Sequence, residues 1–202
     1  MRKFFILCLM AFVMCSCNNT PTIQKETIIS YDGEMVFNEV FPTEKNGYFI
    51  YEYNAKGKLI LSQAFDYEDF LYMEETNVYE KNELKSVHRW IQFDKDSDRT
   101  EHLWYKENDK WYRNTNGEIT PLDTKESEQM NNPIKQVSFL PINDDGTFTI
   151  LEEDYQCIGK VVETDEFGNW TKVVGKEKIK YDSIYLDDTE GYVVYIREII
   201  YH

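Results

Sequence analysis

The sequence predicts an all-β fold: an antiparallel meander of hairpins that forms either an open curved sheet or a partial barrel. Short runs of Tyr, Phe, Trp, Ile, Val and Thr alternate with Asn, Asp and Gly, which is the composition of strands separated by tight turns. A sustained 3.6-residue hydrophobic period, which would indicate helices, is hard to find after residue 24. We therefore expect about ten or more strands and little helix.

The strand-forming runs divide the chain into successive hairpins. An early pair, residues 27–31 and 34–40, is joined by Asp32-Gly33, a two-residue hairpin signal. Further strands are predicted at residues 47–53, 58–65, 70–80, 83–93, 99–106, 110–113, 135–140, 147–155, 158–164, 169–181 and 192–201. The last run is apolar on both faces, which predicts a position in the interior of the sheet.

Residues 114–133 interrupt the strand pattern with polar residues and two prolines. We expect a long polar loop there, with one helical turn at residues 124–130 for which Asp123 is a suitable N-cap. This loop either connects parts of one sheet or separates two smaller ones. A single domain over residues 25–202 is favoured, because neither half could bury much apolar surface alone.

Two predicted turns, at residues 53–59 and 164–170, share one form. Each places Asn or Asp first, then two residues, then Gly, a polar residue and a large apolar residue. The first side chain bonds nearby backbone, and Gly supplies the positive φ that closes the turn. These motifs resemble the YD-type and MORN-like hairpin repeats of secreted and lipid-anchored bacterial proteins. The second turn, with residues 197–201, is similar to the last hairpin of a group of uncharacterised envelope lipoproteins.

The N-terminus has the composition of a secretory signal peptide. Arg2 and Lys3 precede an apolar run over residues 4–14, which is too short to remain as a spanning anchor. Residues 14–17 resemble the lipobox of bacterial lipoproteins, in which a peptidase cuts before a Cys that carries diacylglycerol. Cys17 is the better candidate for lipidation, because Ser16 precedes it whereas the bulky Met14 precedes the alternative, Cys15.

The lipobox resemblance implies the organisation and location of the chain. Residues 1–16 would be the signal peptide, and residues 17–24 the lipidated Cys and a flexible tether. Acyl chains, including palmitate, would attach the protein to the membrane. Asn18 after the modified Cys implies the outer membrane, on its periplasmic side or at the cell surface.

Charge and cysteine content narrow the possible partners. The net charge is −15, and loss of Arg2 and Lys3 would make it two units more negative. This argues against nucleic acid and against flat contact with anionic head groups, so the attachment would come from the acyl chains. After Cys8 and Cys15 leave and Cys17 is lipidated, Cys157 has no disulfide partner, and we expect a half-buried, unreactive thiol in a strand.

The hairpin over residues 87–105 contains the candidate ligand-binding residues. If its turn is residues 94–98, alternation places Val87, Ile91, Phe93, Leu103 and Tyr105 on a core face. The other face then carries His88, Trp90, Gln92, Thr100, His102 and Trp104. Of these, His88, Trp90, His102 and Trp104 form either a platform for a sugar or another planar ligand, or a covered part of the core. We expect no metal at the two histidines, because zinc needs three or four ligands.

Motifs of common enzymes are missing: the sequence has no Gly-x-Ser-x-Gly, His-Glu-x-x-His, phosphate loop or Cys-x-x-Cys. We therefore expect a non-enzymatic envelope protein that binds a glycan, a peptide or a protein through a sheet face, with no cofactor. The alternative is an envelope carbohydrate hydrolase that uses an acidic pair. A structural partner in a larger envelope complex is a third possibility, for which exposed sheet edges would be the sign.

Overall fold

The computed structural model describes residues 21–131, 140–152, 154–179 and 189–202. Within these ranges the chain forms one antiparallel sheet of twelve strands and one helix, α1 (Thr124–Asn131). The strands are β1 (Ile23–Val36), β2 (Glu39–Tyr53), β3 (Leu59–Asp66), β4 (Leu71–Glu80), β5 (Glu83–Ile91), β6 (Thr100–Glu107), β7 (Lys110–Thr115), β8 (Glu118–Pro121), β9 (Thr147–Leu151), β10 (Tyr155–Thr164), β11 (Trp170–Ile179) and β12 (Thr189–Tyr201). The all-β prediction is confirmed.

The sheet is open, and its strand order explains how the chain is wound. The order is β8-β7-β6-β5-β4-β3-β2-β1-β12-β11-β10-β9, so β8 and β9 are the two edges. β1 to β8 form successive hairpins on one side, and β9 to β12 form a second meander on the other. β12 closes the arrangement by pairing with β1. The interior position predicted for the last strand is therefore confirmed.

The first hairpin turns later than predicted. β1 continues through Asp32 and Gly33 to Val36, and the turn is made by Phe37 and Asn38, with φ of 50° and 68°. Asp32 and Gly33 pair with β12 as well as lying within the β1–β2 hairpin. Strand pairing on both sides outweighs the local preference of Asp-Gly for a turn, so that prediction is wrong.

The long loop predicted at residues 114–133 is largely absent. β7 continues to Thr115, Asn116-Gly117 makes a tight turn with positive φ at both residues, and β8 follows. The predicted helical turn is confirmed as α1. Asp123 caps it: its carboxylate accepts from the backbone N–H of Glu126 (2.8 Å), while the Glu126 carboxylate accepts from the N–H of Asp123 (3.1 Å). The strand predicted at residues 135–140 lies outside the described residues except for its last position.

The two turns of shared form adopt the predicted geometry. The Asn54 side chain accepts hydrogen bonds from the backbone N–H groups two and four residues further on (2.9 and 3.1 Å), and Gly57 has φ of 70°. Asp165 accepts from the same two positions (2.9 and 2.8 Å), and Gly168 has φ of 83°. A third copy at Asp66 was missed, because Asp69 rather than Gly takes the positive φ there.

One sheet face, called the core face, carries the main apolar cluster. Its buried members are Ile28, Leu140, Phe148, Cys157, Val173, Val193 and Tyr195. The Phe148 ring lies over Gly159 and Gly175, which pair across β10 and β11. A Cβ atom at Gly159 would overlap this ring, so close packing requires glycine there. The opposite side of the sheet is called the outer face.

Cys157 belongs to this cluster on β10 and is completely buried. Burial raises the pKa of its thiol, which disfavours the thiolate that reacts with electrophiles or metals. The position of Cys157 within a strand is as predicted, but the thiol is completely buried rather than half-buried.

A buried ion pair connects the two ends of the described chain. Glu26 on β1 accepts hydrogen bonds from the Arg197 guanidinium on β12 (2.5 Å) and from the hydroxyl of Tyr53 on β2. The side chains of Glu26 and Arg197 are 7% and 11% exposed. The guanidinium carbon of Arg197 also lies 4.9 Å from the ring centre of Trp170. First and last strands are thus joined by side chains as well as by their backbone ladder.

Candidate functional site

The β5–β6 hairpin does not have the register that the predicted platform requires. Ile91 pairs with Thr100, so eight residues connect the strands instead of the symmetrical five-residue turn that was expected. Val87 then faces Trp104, and His88 faces Leu103. A shift of one residue moves a side chain to the opposite face of a sheet. His88 and Trp90 lie on the outer face and His102 and Trp104 on the core face, so the prediction of one shared platform is wrong.

Trp90 is already packed within the protein. It is 6% exposed, and the guanidinium carbon of Arg99 lies 3.8 Å from its ring centre. Its indole N–H donates to the Glu74 carboxylate (3.3 Å). One ring face and the polar edge of Trp90 therefore have partners within the chain.

Trp104 and His102 form a second aromatic group on the core face. Their ring centres are 5.4 Å apart, and the guanidinium carbon of Arg89 lies 5.4 Å from the Trp104 ring centre. His102 Nδ1 lies 3.0 Å from the Thr115 hydroxyl, and Arg89 pairs with the Glu75 carboxylate (2.7 Å). These contacts fix the rings but leave no flat double-tryptophan surface. Ligand binding by each of the four predicted side chains stays a prediction.

His88 instead lines an open depression on the outer face. The depression has a volume of about 460 Å³, and its lining also includes Glu101, His102, Leu103, Asn114, Asn116 and Gly117. His88 Nε2 lies 3.9 Å from the Glu101 carboxylate. Hydrogen-bonding side chains from three neighbouring strands therefore converge beside the apolar side chain of Leu103.

The β7–β8 turn holds one wall of this depression in place. The Asn114 amide oxygen accepts from the Gly117 N–H (2.8 Å), and the Asn116 amide oxygen accepts from the Glu101 N–H (3.1 Å). Sequence reasoning missed this wall, because residues 114–117 were expected in a long loop. The Asn116-Gly117 dipeptide was the available signal, since it favours a two-residue hairpin turn.

An aromatic pair lies next to the depression on the same face. Tyr105 and Tyr112 are each two residues along their strands from Leu103 and Asn114, and their rings stack with centres 5.6 Å apart. Both tyrosines are half-buried, so part of each ring remains accessible. Ring surface beside amide and carboxylate groups is suited to a ligand with apolar faces and polar edges.

The chemistry available in the depression is hydrogen bonding. Two amides donate and accept, Glu101 accepts, and His88 does either according to its tautomer. Within the described part of the chain, Glu101 is the one carboxylate that lines the depression. No group of three or more His, Cys, Asp or Glu side chains suited to a metal ion occurs in the described part of the chain.

Comparison of the chain with protein-family models, with curated proteins and with solved structures found no match. No helix in the described ranges is both long and apolar enough to cross a membrane. Cys17, the predicted lipidation site, lies outside those ranges.

Proposed function

We propose that the protein is a lipid-anchored component of a bacterial cell envelope and binds a glycan, without catalysis, in the outer-face depression. The observation that carries this proposal is the convergence of His88, Glu101 and Asn114 beside the Tyr105–Tyr112 pair. Sugars present hydroxyl groups at their edges and C–H groups on their faces, so they match this combination of groups. The side chains stand on paired strands, which hold a site more rigidly than loops do.

Hydrolysis is not part of the proposal. Glycoside hydrolases of the common types use two carboxyl groups on either side of the scissile bond. Among the described residues, Glu101 is the one carboxylate that lines the depression, and it has His88 rather than a second acid beside it. Binding needs only the groups that are present.

Binding is tested first with a glycan array, and the affinity for any hit is then measured by titration calorimetry. Glu101→Gln should weaken binding about ten- to hundredfold, because a hydrogen bond to a charged acceptor is lost. Glu107→Gln is the matched control: Glu107 is exposed on the same strand, six residues away. Equal affinity in both variants, or no hit on the array, would contradict the glycan proposal.

The anchor is tested separately by metabolic labelling with palmitate. Cys17→Ala should abolish labelling and leave the precursor uncleaved, because the modified thiol is also the recognition point of the peptidase. Cys15→Ala is the control and should be labelled and cleaved normally. Labelled Cys17→Ala protein would end the assignment of Cys17.

A further inference from the structure

The β1–β2 hairpin extends beyond the rest of the sheet. β1 pairs with β12 as far as Gly33, and β2 pairs with β3 from Gly47 onward. Residues 34–46 therefore form a two-stranded arm that has no further strand beside it in the described structure. An isolated pair of strands gains little stability from its own ladder, so a projecting arm needs another explanation.

The turn at the end of this arm differs in its first residue from the other two-residue turns that have positive φ at both positions. In the described ranges, four two-residue turns have positive φ at both positions: Phe37-Asn38, Lys81-Asn82, Asn108-Asp109 and Asn116-Gly117. Three begin with a polar residue, as expected for an exposed turn. The first hairpin has Phe37, which is 97% exposed and has φ of 50°. A bulky side chain is unfavourable at positive φ, and this ring gains no burial within the chain in return.

Other apolar side chains surround Phe37. Met35 is 47%, Val36 37% and Phe41 46% exposed, and they alternate between the two faces of the arm. We call Met35, Val36, Phe37 and Phe41 the arm tip. Single exposed apolar residues are ordinary, but an apolar group concentrated at the end of a projection marks an interaction site.

The charges of the arm indicate the kind of partner. Glu34, Glu39 and Glu44 are exposed, and no described residue forms an ion pair with any of them. Lys45, the basic residue of the arm, pairs with Asp69 (2.5 Å). The apolar tip is therefore bordered by carboxylates. A matching surface would be apolar with a basic border.

The position of the arm tip relative to the chain's entry favours a partner away from the anchor. β1 starts at Ile23 and carries the chain roughly 45 Å to its end, since a strand rises about 3.3 Å per residue. If Cys17 is lipidated, the tip lies at the far end of β1 from the membrane attachment. This step rests on the proposed lipid anchor, whereas the turn and charge arguments do not.

We propose that the arm tip is a docking surface for a protein partner that presents an apolar pocket bordered by Lys or Arg. Anionic lipid is disfavoured because the carboxylates of the arm would face negative head groups. A second copy of the chain is disfavoured because it has the same excess of acid. This surface is separate from the outer-face depression, so either assignment can fail without the other.

The test places p-benzoylphenylalanine at position 37 of the full chain, in the cells that produce it, followed by irradiation and mass spectrometry. The expected result is one protein adduct whose cross-linked peptide maps to an apolar site flanked by basic residues. Glu34→Gln combined with Glu39→Gln should reduce the adduct at least fivefold. The same photoprobe at Lys81, the first residue of a matched turn, is the control and should not give this adduct.

Each other result would overturn the proposal: an adduct with lipid, an adduct of two copies, the same adduct from position 81, an unchanged yield without the two carboxylates, or no adduct. A second variant separates docking from folding. With the photoprobe at Phe41, Phe37→Asn should reduce the adduct at least tenfold and keep or raise the Tm, because Asn accepts positive φ. An undiminished adduct, or a lower Tm, would show that Phe37 serves the fold instead.

Discussion

The core face differs between the two ends of the sheet. Among β1 and β9 to β12 it is closed by apolar packing, and Phe148 and Val173 have no exposed surface. Across β3 to β7 the same face carries a polar row in register: Ser62, Glu75, Arg89, His102 and Thr115. The alternation of side chains is the same at both ends, but the way in which the face is stabilised is not.

One sheet therefore combines an apolar core at β1 and β9 to β12 with a more polar region at β3 to β7 and their connections, which is called the wing. Glu75 and Arg89 in the polar row are 16% and 42% exposed, and such an ion pair contributes little to stability. Paired charges allow this polar row to remain in contact with water, although Ala64, Val87 and Trp111 on the same face are buried. At the other end, burial of apolar surface stabilises the whole face. We therefore expect most of the stability to reside in β1 and β9 to β12, and β4 to β8 to open more readily in hydrogen exchange.

The largest effect is expected from removal of the ring at the centre of the apolar cluster. Phe148→Ala should lower the free energy of unfolding by about 4 kcal/mol, through lost burial and the cavity left over Gly159 and Gly175. Chemical denaturation measures this. Phe93→Ala is the matched control in the wing: Phe93 is 84% exposed, and the change should be within about 0.5 kcal/mol. Similar losses in both variants would remove the proposed difference between the ends.

A smaller loss of stability is expected from breaking the buried Glu26–Arg197 pair, which joins β1 to β12. Glu26→Gln should cost about 3 kcal/mol, because it leaves the buried Arg197 guanidinium without its counter-charge. Glu75→Gln makes the same chemical change in the polar row and should cost about 1 kcal/mol or less, since Arg89 can turn toward water. Urea titrations of the two variants give the comparison directly. Equal costs would mean that burial does not distinguish the two pairs.

The parts of the fold that depend on local chemistry could be predicted from the sequence. Asn54 and Asp165 bond their own turns, and the predicted turns have the expected geometry. The interior strand β12 was recognisable because both of its faces are apolar. The packing of Phe148 over two glycines was not, because it depends on strands that are paired only in the folded sheet.

The outer-face depression was harder to predict, because the face on which each residue lies depends on the register between β5 and β6. The β5–β6 connection is held by side-chain bonds such as that from the Asp94 N–H to the Ser97 hydroxyl (3.1 Å), which do not reveal its length in advance. An error of one residue exchanged the faces of all the aromatic residues in β6. The Phe37 turn was missed for a different reason: its sequence violates local preference, which is expected where a residue serves an interaction rather than the fold.

The smallest expected effect is a loss of stability at alkaline pH that arises at the apolar end of the sheet. Burial raises the pKa of Tyr195 to about 12 from its usual value near 10, and burial also raises the pKa of its neighbour Tyr155. Above pH 10 the unfolded chain releases a proton that the folded chain retains, so stability falls as pH rises from 10 to 12. The loss attributable to Tyr195 is roughly 2 kcal/mol.

Tyr195→Phe should therefore flatten the decline of Tm between pH 10 and 12, whereas Tyr67→Phe, at an exposed position in the β3–β4 turn, should leave it unchanged. Hydrogen exchange at these pH values should show β10 to β12 losing protection; loss confined to β5 to β7 would contradict the assignment of alkaline sensitivity to the apolar end.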